Sequence, residues 1–187
     1  MNAATMQQST LRNGVDVAAL SATLDAVKAT PALARFVFRA RNRWMGGDRN
    51  RSTIEDFHGT GEELRHASPF VMDNAEPPVL LGGDSAANPV EYVLHALIGC
   101  LTTTMVYHAA ARGIEIASIE SRLEGDLDLR GFLGLSDEVR KGFSKVRVRM
   151  VVDSKASMST LRELAQYSPV FDIVSNSLPV ELTVERA

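Results

Sequence analysis

The sequence has one cysteine and one tryptophan among its 187 residues. One cysteine cannot close a disulfide within the chain or build a thiolate metal site. The four histidines also lack metal-ligand spacing (His58, His66, His95 and His108). We therefore expect no metal and no cofactor. A single cysteine is typical of proteins in a reducing compartment, and the N-terminus lacks the basic start and apolar run of a secretory signal. Both observations favour a cytoplasmic protein.

Positive charge is not in surplus either. The 20 Lys and Arg residues are outnumbered by 23 Asp and Glu, which gives a formal net charge of -3. Nucleic acids and anionic membranes attract basic surfaces, so neither is expected as a partner. The six arginines between Arg35 and Arg51 alternate with apolar residues, as solvent-facing strand positions do. No uninterrupted apolar run approaches the ~18 residues of a membrane span.

The patterns that are present predict an α+β protein. Asp16 is the N-cap of a short predicted helix that ends at Ala29, after a loose segment over residues 1–14. The strongest helix signal starts at Asn88, where Glu91 completes a capping box, and ends at Gly113. This helix is apolar nearly all round, so we expect it at the centre of the molecule or of a dimer. Strands are predicted over 34–44, 52–58, 64–72, about 114–129, 145–152 and 178–185, and shorter helices over 158–167 and from Ser168 onward.

Cys100 lies in the middle of the long helix. Core packing is the common role of such a residue, since free cysteine is among the most buried residue types. A reactive thiolate needs a cation or a hydrogen-bond donor. At ~100° and 1.5 Å per residue, His95 points away from Cys100 and His108 lies ~12 Å along the axis. Any activating cation must therefore come from elsewhere in the fold.

The run GDSAANPVEYVLHALIGCLT over residues 83–102 resembles the central-helix signature of the OsmC/Ohr family, the osmotically inducible and organic hydroperoxide resistance proteins. The run LRELAQYSP over residues 161–169 resembles the family's second cysteine site. The resemblance implies an OsmC-like fold with antiparallel sheets around a long buried central helix, in an intertwined homodimer. It assigns residues 34–187 to the OsmC-like domain and leaves 1–33 as an N-terminal extension with a short helix.

The resemblance also implies that Cys100 is the thiol that attacks a peroxide, but three positions depart from the family pattern. Ser168 replaces the resolving cysteine, and Ser before Pro169 is instead a good helix cap. Val90 stands where the peroxidases have a glutamate. Asp48 stands where they have an arginine that holds the thiolate, so Arg49 or Arg51 is the candidate substitute.

These residues support a leading hypothesis and two alternatives. The first is a thiol-dependent hydroperoxide reductase in which an external thiol recycles Cys100. The second is a non-catalytic protein that binds an apolar small molecule in a pocket of the dimer interface, with Cys100 as one wall. The third, hydrolytic or thioester chemistry at Cys100, lacks a visible base.

Overall fold

The structure, a computed structural model, describes residues 11–186. In chain order its elements are β1 (Leu11–Arg12), β2 (Val15–Asp16), α1 (Val17–Ala29), β3 (Val37–Phe38), β4 (Arg41–Gly46), β5 (Arg49–Gly59), β6 (Glu62–Asn74), α2 (Pro89–Ala111), β7 (Ser118–Asp126), α3 (Leu129–Phe132), β8 (Lys145–Asp153), α4 (Met158–Gln166) and α5 (Pro169–Ser175). These residues divide into a first unit, Asp16–Val93, and a second unit that joins Leu11–Val15 to residues 94–186.

The first unit is built on an antiparallel sheet in which β5 pairs with β3, β4 and β6. The prediction of one continuous strand over 34–44 is wrong. Its start forms the 3-10 turn Pro31–Ala34, and β3 and β4 are separate strands. They separate because Phe38 pairs with Phe57 while Arg41 pairs with Thr53, so β5 carries one extra residue between the two ladders.

Both predicted helix starts of the first unit are confirmed. The Asp16 carboxylate accepts the Ala19 N–H at 3.1 Å and caps α1. At the start of α2, Asn88 Oδ1 accepts the Val90 N–H at 2.9 Å, and Glu91 Oε2 accepts the Asn88 N–H at 2.9 Å. This reciprocal pair is the predicted capping box.

Helix α2 ends as predicted, with Gly113 in the left-handed region at φ 75°. One stripe of the helix is buried, comprising Leu97, Leu101, Met105, Ala109 and Ala110. By length and apolar composition alone the helix could also cross a membrane, as many core helices of soluble proteins could. Met105 and Ala109 of the stripe belong to the buried core of the second unit.

The second unit packs α2 and α4 against the antiparallel hairpin of β7 and β8. Met105, Ala109, Leu161 and Leu164 form its buried cluster, and side chains of both strands pack against it. Opposite charges pair across the two strands at Arg147, which reaches Asp126 at 2.6 Å and Glu124 at 3.4 Å.

Two predicted strands of the second unit need correction. β7 ends at Asp126 and does not reach Leu129, because Asp128 accepts the Arg130 N–H and starts α3. The final strand predicted over 178–185 is not a strand in the structure. A strand needs a neighbour for its backbone hydrogen bonds, and within residues 11–186 no strand pairs with this segment.

The prediction of a loose segment over 1–14 is wrong for residues 11–14, which are ordered. Residues 1–10 lie outside the described residues. β1 and β2 form a hairpin whose two turn residues, Asn13 and Gly14, have φ of 52° and 79°. Asn13 then donates to the Ile114 carbonyl and accepts the Ile116 N–H, both at 3.0 Å. These two bonds attach the hairpin to the second unit.

Candidate functional site

Cys100 lies at the border between the buried stripe of α2 and its open side. The residue is partly buried, next to buried Leu101 and exposed Gly99. A Cβ atom added at Gly99, the preceding residue of the helix, would meet nothing within 4 Å. Among the described residues, the polar contact of the Cys100 Sγ atom is the Thr104 hydroxyl at 4.0 Å. The thiol is therefore only partly buried, and the neighbouring helix position at Gly99 is open.

Ser168 is a helix cap in the structure, as the sequence predicts. Its side chain is 1% exposed, and its hydroxyl accepts the Phe171 N–H at 3.2 Å. Pro169 follows at the first position of α5, where a missing N–H costs nothing. The hydroxyl is thus engaged in holding the start of the helix.

The two candidate arginines of the first unit have different environments. Arg51 forms a bidentate ion pair with Asp73 at 2.6 and 2.8 Å, which raises the pKa of Arg51 and lowers the pKa of Asp73. Arg49 lines a polar cavity of about 250 Å³ together with Ser85. Among residues 11–186 no carboxylate lies within ion-pair distance of Arg49. Arg49 therefore has no ion-pair partner among the described residues, although its charge helps to lower the pKa values of Asp48 and Asp73.

Comparison with known proteins identifies the family. The family model described as OsmC-like protein matches residues 82–183, more than half of the chain. The chain belongs to the OsmC-like family. The matched range contains α2 with Cys100 and the start of α5 with Ser168.

Solved structures share the OsmC-like fold. An OsmC-like protein from Mycoplasma pneumoniae aligns with a TM-score of 0.55 and 12% identity, over 75% of this chain and 88% of that chain. An OsmC-like protein of unknown function from Vibrio cholerae aligns with a TM-score of 0.50 and 16% identity, over 77% and 94% of the respective chains. No curated protein sequence matches this chain. The predicted OsmC-like α+β fold is confirmed.

Asp48 has a structural role in this OsmC-like chain that the sequence did not reveal. Its carboxylate accepts the N–H groups of Glu76 at 2.9 Å and Gly83 at 3.1 Å, and these bonds lower its pKa. The loop between them closes tightly, because a Cβ atom on Gly82 would lie 1.9 Å from the Glu76 carbonyl oxygen. Asp48 thus fixes the loop that leads into α2.

A second polar cluster of the OsmC-like chain lies at the end of α2 and escaped the sequence-based reasoning. The His108 ring stacks on Tyr167 at 4.4 Å, and Arg112 lies 5.8 Å above the Tyr167 ring and pairs with Glu163 at 2.7 Å. Burial first, and the Arg112 charge second, lower the pKa of His108. Spacing along α2 places His108 and Arg112 on one face, but only the fold brings α4 against them. In residues 11–186 no three His, Cys, Asp or Glu side chains group as a metal site.

Proposed function

We propose that this OsmC-like protein is a cytoplasmic, thiol-dependent reductase of organic hydroperoxides. Cys100 supplies the reacting thiolate, and an external thiol is the reductant. The observation that carries the proposal is the position of the chain's only thiol, half-buried on the core helix within the matched family range and beside the open space at Gly99.

The chemistry requires one thiolate and one proton source. The Cys100 sulfur attacks a peroxide oxygen, the O–O bond breaks, and the alcohol leaves after taking up a proton. Cys100 is then a sulfenic acid. One external thiol condenses with it and releases water, and a second thiol reduces the mixed disulfide. The two external thiols are oxidised to a disulfide, and Cys100 returns to its reduced state.

An external thiol is required because Ser168 replaces the second cysteine. A hydroxyl cannot form a disulfide, and the Ser168 hydroxyl is buried and accepts the Phe171 N–H. The recycling step therefore has to use a sulfur from another molecule. This argument favours a small thiol or dithiol that can enter the open side of α2.

The resemblance implies an arginine beside the thiolate, and we propose Arg49 for that role because Arg51 is already paired with Asp73. Replacing Arg49 with glutamine should slow alkylation of Cys100 at neutral pH by about tenfold, the effect of one charge-assisted hydrogen bond. Arg43→Gln removes the same charge from an exposed residue of β4 and should leave the rate unchanged. Equal rates for Arg49→Gln and wild type would reject the assignment.

Steady-state turnover tests the proposed activity. Consumption of cumene hydroperoxide is followed with dithiothreitol or dihydrolipoamide, for wild type and Cys100→Ser. We expect wild type to consume the peroxide and Cys100→Ser to show only the rate of the free thiol. Equal rates for the two proteins would overturn the proposal.

We also propose that the protein works as an intertwined homodimer. The segment over 178–185 alternates apolar and polar residues like a strand, yet its apolar side chains are 54 to 86% exposed: Leu178, Val180, Leu182 and Val184. Pairing with a strand of a second copy would satisfy the backbone hydrogen bonds of this segment and bury these side chains.

Light scattering tests the proposed dimer. It should show that Leu182→Asp weakens the dimer while Thr183→Asp, on the opposite face, does not. A wild-type protein that is monomeric would contradict the proposal.

A further inference from the structure

A mostly apolar cavity in the second unit is separate from the thiol. It is an open cavity of about 400 Å³ between α2, β8, α4 and α5. Three methionines contribute to its wall, Met105, Met150 and Met158, and Phe171 also lines it. Cys100 does not line it, so this cavity differs from the Cys100-walled pocket suggested by the sequence.

The charged side chains that line the cavity are all positive. Its lining includes Arg149, Arg162 and Gln166 but no aspartate or glutamate. Arg162 has no carboxylate within ion-pair distance among residues 11–186, and the adjacent Glu163 is paired with Arg112. Helical spacing puts Arg162 on the same side of α4 as Met158 and Gln166. Arg162 is therefore a cavity-lining cation without an ion-pair partner among residues 11–186.

We propose that this cavity binds an alkyl carboxylate, with the chain along the methionines and the carboxylate on Arg162. Its volume is in the range of small-molecule sites, which are usually apolar with a few orienting polar groups. Methionine side chains adapt to a flexible chain. Arg162 and Gln166 can both donate to carboxylate oxygens. The proposal does not depend on redox chemistry at Cys100.

Arg43 provides a matched control. It is an exposed residue of β4, no carboxylate lies within ion-pair distance of it among residues 11–186, and it is not one of the residues that line this cavity. Arg43→Gln and Arg162→Gln thus remove the same charge, but only the second removes the proposed carboxylate partner.

The test is calorimetric titration of the full-length protein with decanoate and with decanol. We expect saturable binding of decanoate by wild type and by Cys100→Ser, and at least about tenfold weaker binding of decanol. Arg162→Gln should weaken decanoate binding by at least about tenfold and leave decanol unchanged. Arg162→Lys should retain part of the affinity, and Arg43→Gln all of it.

Methyl NMR signals of the methionines locate the ligand. Decanoate should shift the signals of Met105, Met150 and Met158, each assigned by substitution, and thermal melts should show that the arginine variants are folded. Absence of saturable decanoate binding would overturn the proposal. Equal losses in Arg43→Gln and Arg162→Gln, or decanol binding as tight as decanoate, would overturn it as well.

Discussion

Replacing Ser168 with alanine separates a structural role of this side chain from a catalytic one. The hydroxyl is buried and accepts the Phe171 N–H at 3.2 Å at the start of α5. Alanine keeps the size of the side chain nearly unchanged but removes the acceptor. The Phe171 N–H then loses its hydrogen-bond acceptor at a position that water reaches poorly. The substitution does not directly alter the geometry around Cys100.

The expected loss of stability follows from the cap. Removing an N-cap hydroxyl costs about 0.5–2 kcal/mol, and burial places Ser168 in the upper part of that range, at about 1–2 kcal/mol. For a chain of this length that lowers Tm by about 2–8 °C. Ser157 caps α4 in the same way, with a 3.1 Å bond to the Thr160 N–H, but is exposed. Ser157→Ala should therefore cost less, about 0.5 kcal/mol.

Thermal melts of the two variants, combined with hydroperoxide turnover at a temperature where all proteins are folded, provide the assay. We expect Ser168→Ala to be the less stable variant and to turn over at the wild-type rate. A Ser168→Ala protein with wild-type Tm would refute the cap argument. Loss of turnover without loss of stability would instead show that the hydroxyl takes part in the chemistry.

Two further predictions concern stability. Because the pKa of His108 lies below its usual 6.5 in the folded chain, the unfolded chain takes up the proton first as pH falls, so stability declines below about pH 6.5. His108→Phe should reduce this decline in melts between about pH 7.5 and 5.5, and an unchanged pH profile would contradict the argument. Gly82→Ala should lower stability by about 1–3 kcal/mol, because its Cβ atom would meet the Glu76 carbonyl, whereas Gly83→Ala has open space. Equal melts of the two glycine variants would show that the loop does not need this close approach.

Features encoded by neighbouring residues were predictable from the sequence. The capping box of Asn88 and Glu91, the left-handed Gly113 and the cap at Ser168 depend on contacts within four residues. The same local logic explains why Cys100 could be placed on the core helix. The Asn13-Gly14 turn is local too, because an Asn-Gly pair is a known hairpin signal.

Features that depend on distant partners were not predictable. The alternation over 178–185 is typical of a strand, but a strand exists only where another strand accepts its hydrogen bonds. Likewise, the preference for Arg49 over Arg51 required knowing that Asp73 lies opposite Arg51 in the sheet. The role of Asp48 depends on a loop that starts 28 residues later in the chain.

The most direct test of the proposed function is the mass of the intact protein after one equivalent of organic hydroperoxide. We predict that wild type gains one oxygen atom at Cys100, that a sulfenic-acid trap such as dimedone captures it, and that dihydrolipoamide reverses it. Cys100→Ser should gain nothing under the same conditions. An unmodified Cys100 in folded wild-type protein, with the peroxide left intact, would contradict the account.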